Sequence, residues 1–190
     1  NFFFIKQFII MCEKIRDQEY MLKALEFLKN IISNYKLEDE DHEVFQLKGL
    51  IENELERYND ALSSFERALD INEEDITSLK GKGISLYKLG DYEKSFDEYR
   101  RVLENNSEDF DSLKFTGIIL NKFGNYLRSS KPEGAIIKYK AAIEYFDKAL
   151  KIKEDYYILE YKGVILYKIG QLEGKLEEAL KEAITYMEGI

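Results

Sequence analysis

Glycine stands at positions 49, 83 and 117, an interval of 34 residues met twice in succession. Four residues before each comes a bulky apolar side chain, Phe45, Leu79 or Leu113, on the same face of a helix one turn earlier. After Gly49 and Gly83 comes a second helical stretch in which a small residue precedes an aromatic one by four places: Ala61 with Phe65, and Ser95 with Tyr99. A fixed period of this length marks a repeat array, in which no single unit can bury its apolar stripe alone and neighbours must complete the core.

The period carries through the rest of the chain. Residues 82–92, KGISLYKLGDY, return at 162–172 as KGVILYKIGQL, and AL-DI at 68–71 returns as AL-KI at 149–152. Gly163 continues the glycine series, but 46 residues after Gly117. Tyr139 to Leu150 realign with Tyr92 to Leu103, so the excess is LRSSKPEGAIIK, residues 127–138. Within it, Ser130-Lys131-Pro132-Glu133 has the form of a capping box with proline in the first turn. That predicts a long helix from Ser130 to about Ile152, an insertion that lengthens one hairpin without adding a domain.

The first 36 residues follow the same template, with Phe8, Met11, Cys12 and Ile15 in a first helix and Ala24, Leu28 and Ile31 in a second. Cys12 takes the glycine's place as a small buried side chain. The last unit has about four extra residues around LEGK. The recurring small residues, Gly49, Gly83, Gly117 and Gly163 with Ala61, Ala142 and Ala179, mark close approach between helices, and Ala68 and Ala149 open a surface for the next unit. Gly90, Gly124 and Gly170 are expected to end first helices in the left-handed conformation.

This pattern resembles the tetratricopeptide repeat family over essentially the whole chain, although no unit has the family's tryptophan or its closing proline; Asn72-Glu73 and Asn106-Ser107 stand at the latter place. The resemblance implies an all-α fold, a right-handed α-solenoid of about five helix-turn-helix hairpins forming one domain over residues 1–190. The units fall at about 5–38, 42–75, 76–109, 110–154 and 156–190.

Composition narrows the function. A net charge of −9 disfavours general nucleic-acid binding, which needs a basic face to displace counterions from phosphates. A single cysteine forms no internal disulfide, which fits a reducing, cytoplasmic setting. The apolar opening NFFFIKQFIIM is interrupted by Lys6 and Gln7 and reads as neither signal peptide nor membrane span. The first residue is Asn, as expected of a piece of a longer chain. His42 is the only histidine and lies in the charged connector LEDEDHE, where Asp41 is a candidate helix cap. A histidine-built zinc site or a Ser-His-Asp triad therefore has no material. Gly81-Lys82-Gly83 lacks the spacing of a phosphate loop. The expectation is a non-enzyme with no cofactor and no metal.

The resemblance also implies a partner-binding concave face on the first helices. Carried over by alignment, it comprises Gln46, Lys80 and Lys114 at repeat position 5, with Glu160 in the last unit. Leu50, Ile84, Ile118 and Val164 follow at position 9, and Asn53, Tyr87, Asn121 and Tyr167 at position 12. Glu54, Lys88, Lys122 and Lys168 stand at position 13. Family members that clamp a C-terminal carboxylate use asparagine at position 9, and here every such residue is aliphatic. Those aliphatic residues also have a packing reading. Lys80 and Lys114 are the foremost contacts, since a cation has no packing reason to recur there. The partner implied is a protein or peptide with acidic flanks, bound by an adaptor. The alternatives are an accessory domain of a larger enzyme or regulator, and self-association through the NFFFIKQFII or TYMEGI ends.

Overall fold

The computed structural model describes residues 18–34 and 42–188. Nine helices and no strand occur among the described residues: α1 (Gln18–Asn34), α2 (His42–Glu54), α3 (Tyr58–Ile71), α4 (Ile76–Leu89), α5 (Tyr92–Asn105), α6 (Phe110–Leu127), α7 (Pro132–Ile152), α8 (Tyr156–Glu173) and α9 (Leu176–Glu188). The expected helix holding Phe8, Met11, Cys12 and Ile15, the candidate cap Asp41 and both proposed self-associating ends fall wholly or partly outside the described residues. Two compact units divide the chain, Asn1–Glu98 and Tyr99–Ile190. His42 is the first residue of α2 and half-buried, so it belongs to a helix start and not to a solvated connector.

The first helices begin by a shared device. Asp75, Asp109 and Asp155 are the N-caps of α4, α6 and α8, each side chain accepting from the backbone N–H three residues on, at Ser78, Ser112 and Ile158. Such a cap is worth about 1 kcal/mol. The preceding helix α3 stops at Asn72, whose side chain also accepts from the Glu74 N–H, an Asx turn; Asn106 does the same for Glu108.

Two of the periodic glycines, Gly49 and Gly117, receive aromatic rings. In the first unit Phe65 is fully buried against both Gly49 and Gly81; a Cβ on Gly49 would lie 2.8 Å from the ring, and one on Gly81 closer still. In the second, Phe146 occupies the same place over Gly117. Where the following first helix offers no glycine it offers a ring: Phe115 stacks on Tyr99 at 5.1 Å, and Tyr161 tilts against Phe146 at 5.8 Å. A helical glycine costs up to about 1 kcal/mol, and burying a phenylalanine returns about 2–3 kcal/mol, so the exchange favours folding. Gly163 differs, since the nearest atom to its absent Cβ is that of Ala183 at 4.0 Å. Ala61, Ala68, Ala142 and Ala149 are fully buried, as small residues between helices should be.

The turn glycines diverge from expectation. Gly90 is left-handed, with φ 87°, and closes α4. Glu56, 34 residues earlier, holds the same conformation with φ 57° despite its side chain. Gly124 and Gly170, however, lie inside α6 and α8, which continue to Leu127 and Glu173. Gly124 makes room for the Tyr139 ring, and Gly170 for Ala179. The left-handed residue of the last hairpin is Gly174, with φ 72°, so the extra residues around LEGK are one additional helical turn. The capping box at Ser130 does not form either. Lys131 is the N-cap of α7 without a side-chain bond, because Pro132 at the first helical place moves the start one residue on. Ser130 turns its hydroxyl to the Leu127 carbonyl.

Candidate functional site

Five polar side chains expected on the first-helix face, Gln46, Asn53, Lys114, Asn121 and Lys168, are engaged between neighbouring first helices of their own unit. In the first unit, Gln46 donates to the cap carboxylate of Asp75 at 2.7 Å. Asn53 donates to the Gly81 carbonyl at 3.1 Å and accepts from the Ser85 hydroxyl at 2.8 Å. In the second, Lys114 pairs with the cap Asp155 at 2.7 Å and lies over the Tyr157 ring. Burial alone would raise the Asp155 pKa, but the Lys114 ammonium and the Ile158 N–H overcome it and hold the carboxyl below its ordinary value. At Gln46 and Lys114 a polar residue in this place therefore has a structural role: it ties one first helix to the cap of the next. That corrects the argument that a cation there has no packing reason. Lys80 is half-buried on α4.

The apolar candidates separate by burial. Ile118 is buried, Leu50, Ile84 and Tyr87 are half-buried, and Val164 and Tyr167 are exposed at 45% and 39%. Tyr87 tilts against Tyr92 at 5.3 Å. Lys88, Glu54 and Glu160 are exposed, and Lys122 is half-buried.

A second series of lysines precedes the glycines, at 48, 82 and 162, and sequence reasoning missed it. Lys48 reaches Glu52 at 2.7 Å and the Ser64 hydroxyl at 2.6 Å, with Glu52 itself buried. Lys82 lies between Glu98 at 2.9 Å and Glu66 at 3.6 Å. Lys162, only 2% exposed, pairs with Asp147. Thr116 takes this position in the remaining repeat, where Arg100 stands at the place of Glu66 and Asp147 in the alignment. A lysine opposite that arginine would be repelled. The signal was in the sequence, as lysine before glycine at the repeat interval.

Lys168 on α8 is held differently. Its ammonium donates to the side-chain oxygens of Asn121 at 3.1 Å and Asn125 at 2.9 Å, and lies 5.5 Å from the centre of the Tyr139 ring. The Tyr139 hydroxyl donates to the same Asn125 oxygen at 2.9 Å. Burial first, then the positive charges of Arg128 and Lys122, hold its pKa below the usual lysine range. Asn121 and Lys168 were both expected on this face; Asn125, Arg128 and Tyr139 were not.

Two stretches match family models described as tetratricopeptide repeat, residues 47–110 and 138–156. Over these stretches the chain carries tetratricopeptide repeats. Similar solved structures agree on the fold. MamA 41-end from Desulfovibrio magneticus RS-1 is 17% identical, with a TM-score of 0.72 over 97% of this chain and 92% of that one. A crystal structure of MamA is 16% identical, with a TM-score of 0.70 over 93% and 94%. No curated protein matches the chain in sequence. This tetratricopeptide repeat protein thus has the α-solenoid fold, which in general is a scaffold for protein interaction. Among the described residues no helix is long and apolar enough to cross a membrane, and no group of three His, Cys, Asp or Glu side chains could hold a metal ion.

Proposed function

We propose that this protein is a non-catalytic, cytoplasmic interaction scaffold that binds a peptide or protein segment along the first-helix face of its hairpins. The observation that supports it most is on α8, where Val164 and Tyr167 stand exposed beside the half-buried Lys168, an apolar and cationic strip on an acidic protein. Exposed apolar side chains beside a cation suit a segment that brings both apolar and acidic groups. In the first unit the proposed residues are Gln46, Leu50, Asn53, Lys80, Ile84, Tyr87 and Lys88, of which Lys88 is exposed, and in the second Lys114, Ile118, Asn121 and Lys122 join those of α8.

Affinity capture from native lysate, with Val164→Asp and Tyr167→Ala combined, tests it. Both side chains are exposed, so the fold is expected to survive, as circular dichroism would verify, while captured partners fall at least tenfold. Equal yields from the native and variant chains would remove the face from consideration.

A second reading, self-association, draws on α9. Leu176, Leu180 and Ile184 recur every four residues and are all exposed, while Ala179 and Ala183, on the adjoining stripe of the same helix, are buried. Light scattering over a concentration series should then show a mass that rises for the native chain and stays monomeric for Leu180→Glu. A native chain monomeric throughout would dismiss this reading.

A further inference from the structure

Lys168 and Arg128 are cations held by neutral side-chain oxygens. Lys168 uses two of its three N–H bonds on neutral amide oxygens, and Arg128 donates to the Gln171 side-chain oxygen, whose own amide donates to the Tyr167 hydroxyl at 2.7 Å. By contrast, Lys48, Lys82, Lys114, Lys140 and Lys162 each pair with an acid. Both side chains are thus fixed in place by uncharged partners, and their remaining donors are unspent.

The inserted stretch creates this arrangement. It supplies Arg128, and it accompanies the extension of α6 past Gly124 that carries Asn125 to Lys168. The glycine admits the Tyr139 ring, whose hydroxyl orients the Asn125 oxygen toward the ammonium. Arg128 binds Gln171, three residues from Lys168 on α8, and its charge acts against that ammonium in the empty protein; an anion beside both relieves the repulsion.

We propose that Lys168 and Arg128 form a receptor for a carboxylate side chain of an acidic peptide segment. This deepens the first-helix docking reading and rests on it. The overall charge of −9 repels a polyanionic surface or strand over long range, whereas one short acidic segment meets only the local cations. A planar carboxylate also matches the guanidinium fork of Arg128.

The test uses fluorescein-labelled hexaglutamate and the purified full chain at low ionic strength, read by anisotropy. Arg128→Gln and Lys168→Gln should each weaken binding about tenfold or more, the loss of a hydrogen bond between charged groups. Lys131→Gln, an exposed substitution of the same charge change nearby, should alter it less than about twofold. Arg128 is exposed, so its variant reports even if Lys168→Gln melts early. The proposal is overturned if the native chain leaves the probe unbound at millimolar protein, or if all three variants weaken alike. It is also overturned if inorganic phosphate or phosphatidylserine vesicles displace the probe more readily than acetate does. If the probe fails to bind while Val164→Asp with Tyr167→Ala still abolishes partner capture, the receptor is wrong and the docking face stands.

Discussion

Residues 82–92 and 162–172 share six of eleven side chains, including the glycines at 90 and 170, yet those glycines do opposite things. Gly90 ends α4 in the left-handed region, with nothing within 4 Å of where a Cβ would stand. Gly170 is helical, and α8 runs on to Glu173 before Gly174 closes it. Its missing Cβ would collide with Ala179 and crowd the Lys175 carbonyl at 3.2 Å and the Leu176 Cα at 3.3 Å. One glycine is selected for its backbone freedom, the other for its absent side chain. The added turn also changes the neighbours. With α8 prolonged, Gln171 sits one turn beyond Tyr167 and binds its hydroxyl. Lys88 in the earlier copy is exposed, whereas Lys168 is half-buried and pinned by two asparagines.

Substituting the two glycines separates these roles. Gly170→Ala should have the larger effect: overpacking against Ala179 and the turn backbone costs about 3 kcal/mol, and better helix propensity returns up to about 1. A net loss of about 2 kcal/mol should lower Tm by about 4–8 °C in a thermal melt. Gly90→Ala meets no neighbour and should cost only the strain of a left-handed alanine, about 1 kcal/mol, or about 2–4 °C. Equal losses at both positions would mean that the turn, and not the packing, governs both copies.

The helical class, the period and the family were legible because apolar and small residues recur at an interval that only stacked hairpins satisfy. The caps carried a signal that was passed over: of the aspartates only Asp41 was expected to cap a helix, yet Asp75, Asp109 and Asp155 follow it at the glycines' spacing. The role of position 5 was not legible. Gln46 and Asp75 are 29 residues apart, and Lys114 and Asp155 are 41 apart across the insertion, so neither pair can be seen without knowing how the helices pack. The receptor pair was half legible. Asn121 and Lys168 came from repeat phase, while Arg128 and Asn125 depend on how far α6 continues past Gly124.

The sequence by itself determined that α-hairpins stack and which side chains face inward, since periodicity records burial directly. Only the tertiary structure decided where each first helix stops and which cations are neutralised. A glycine serves equally in a turn or beneath a ring, and a lysine reads the same whether an acid or an amide meets it. Those choices depend on atoms contributed by another helix, far away along the chain.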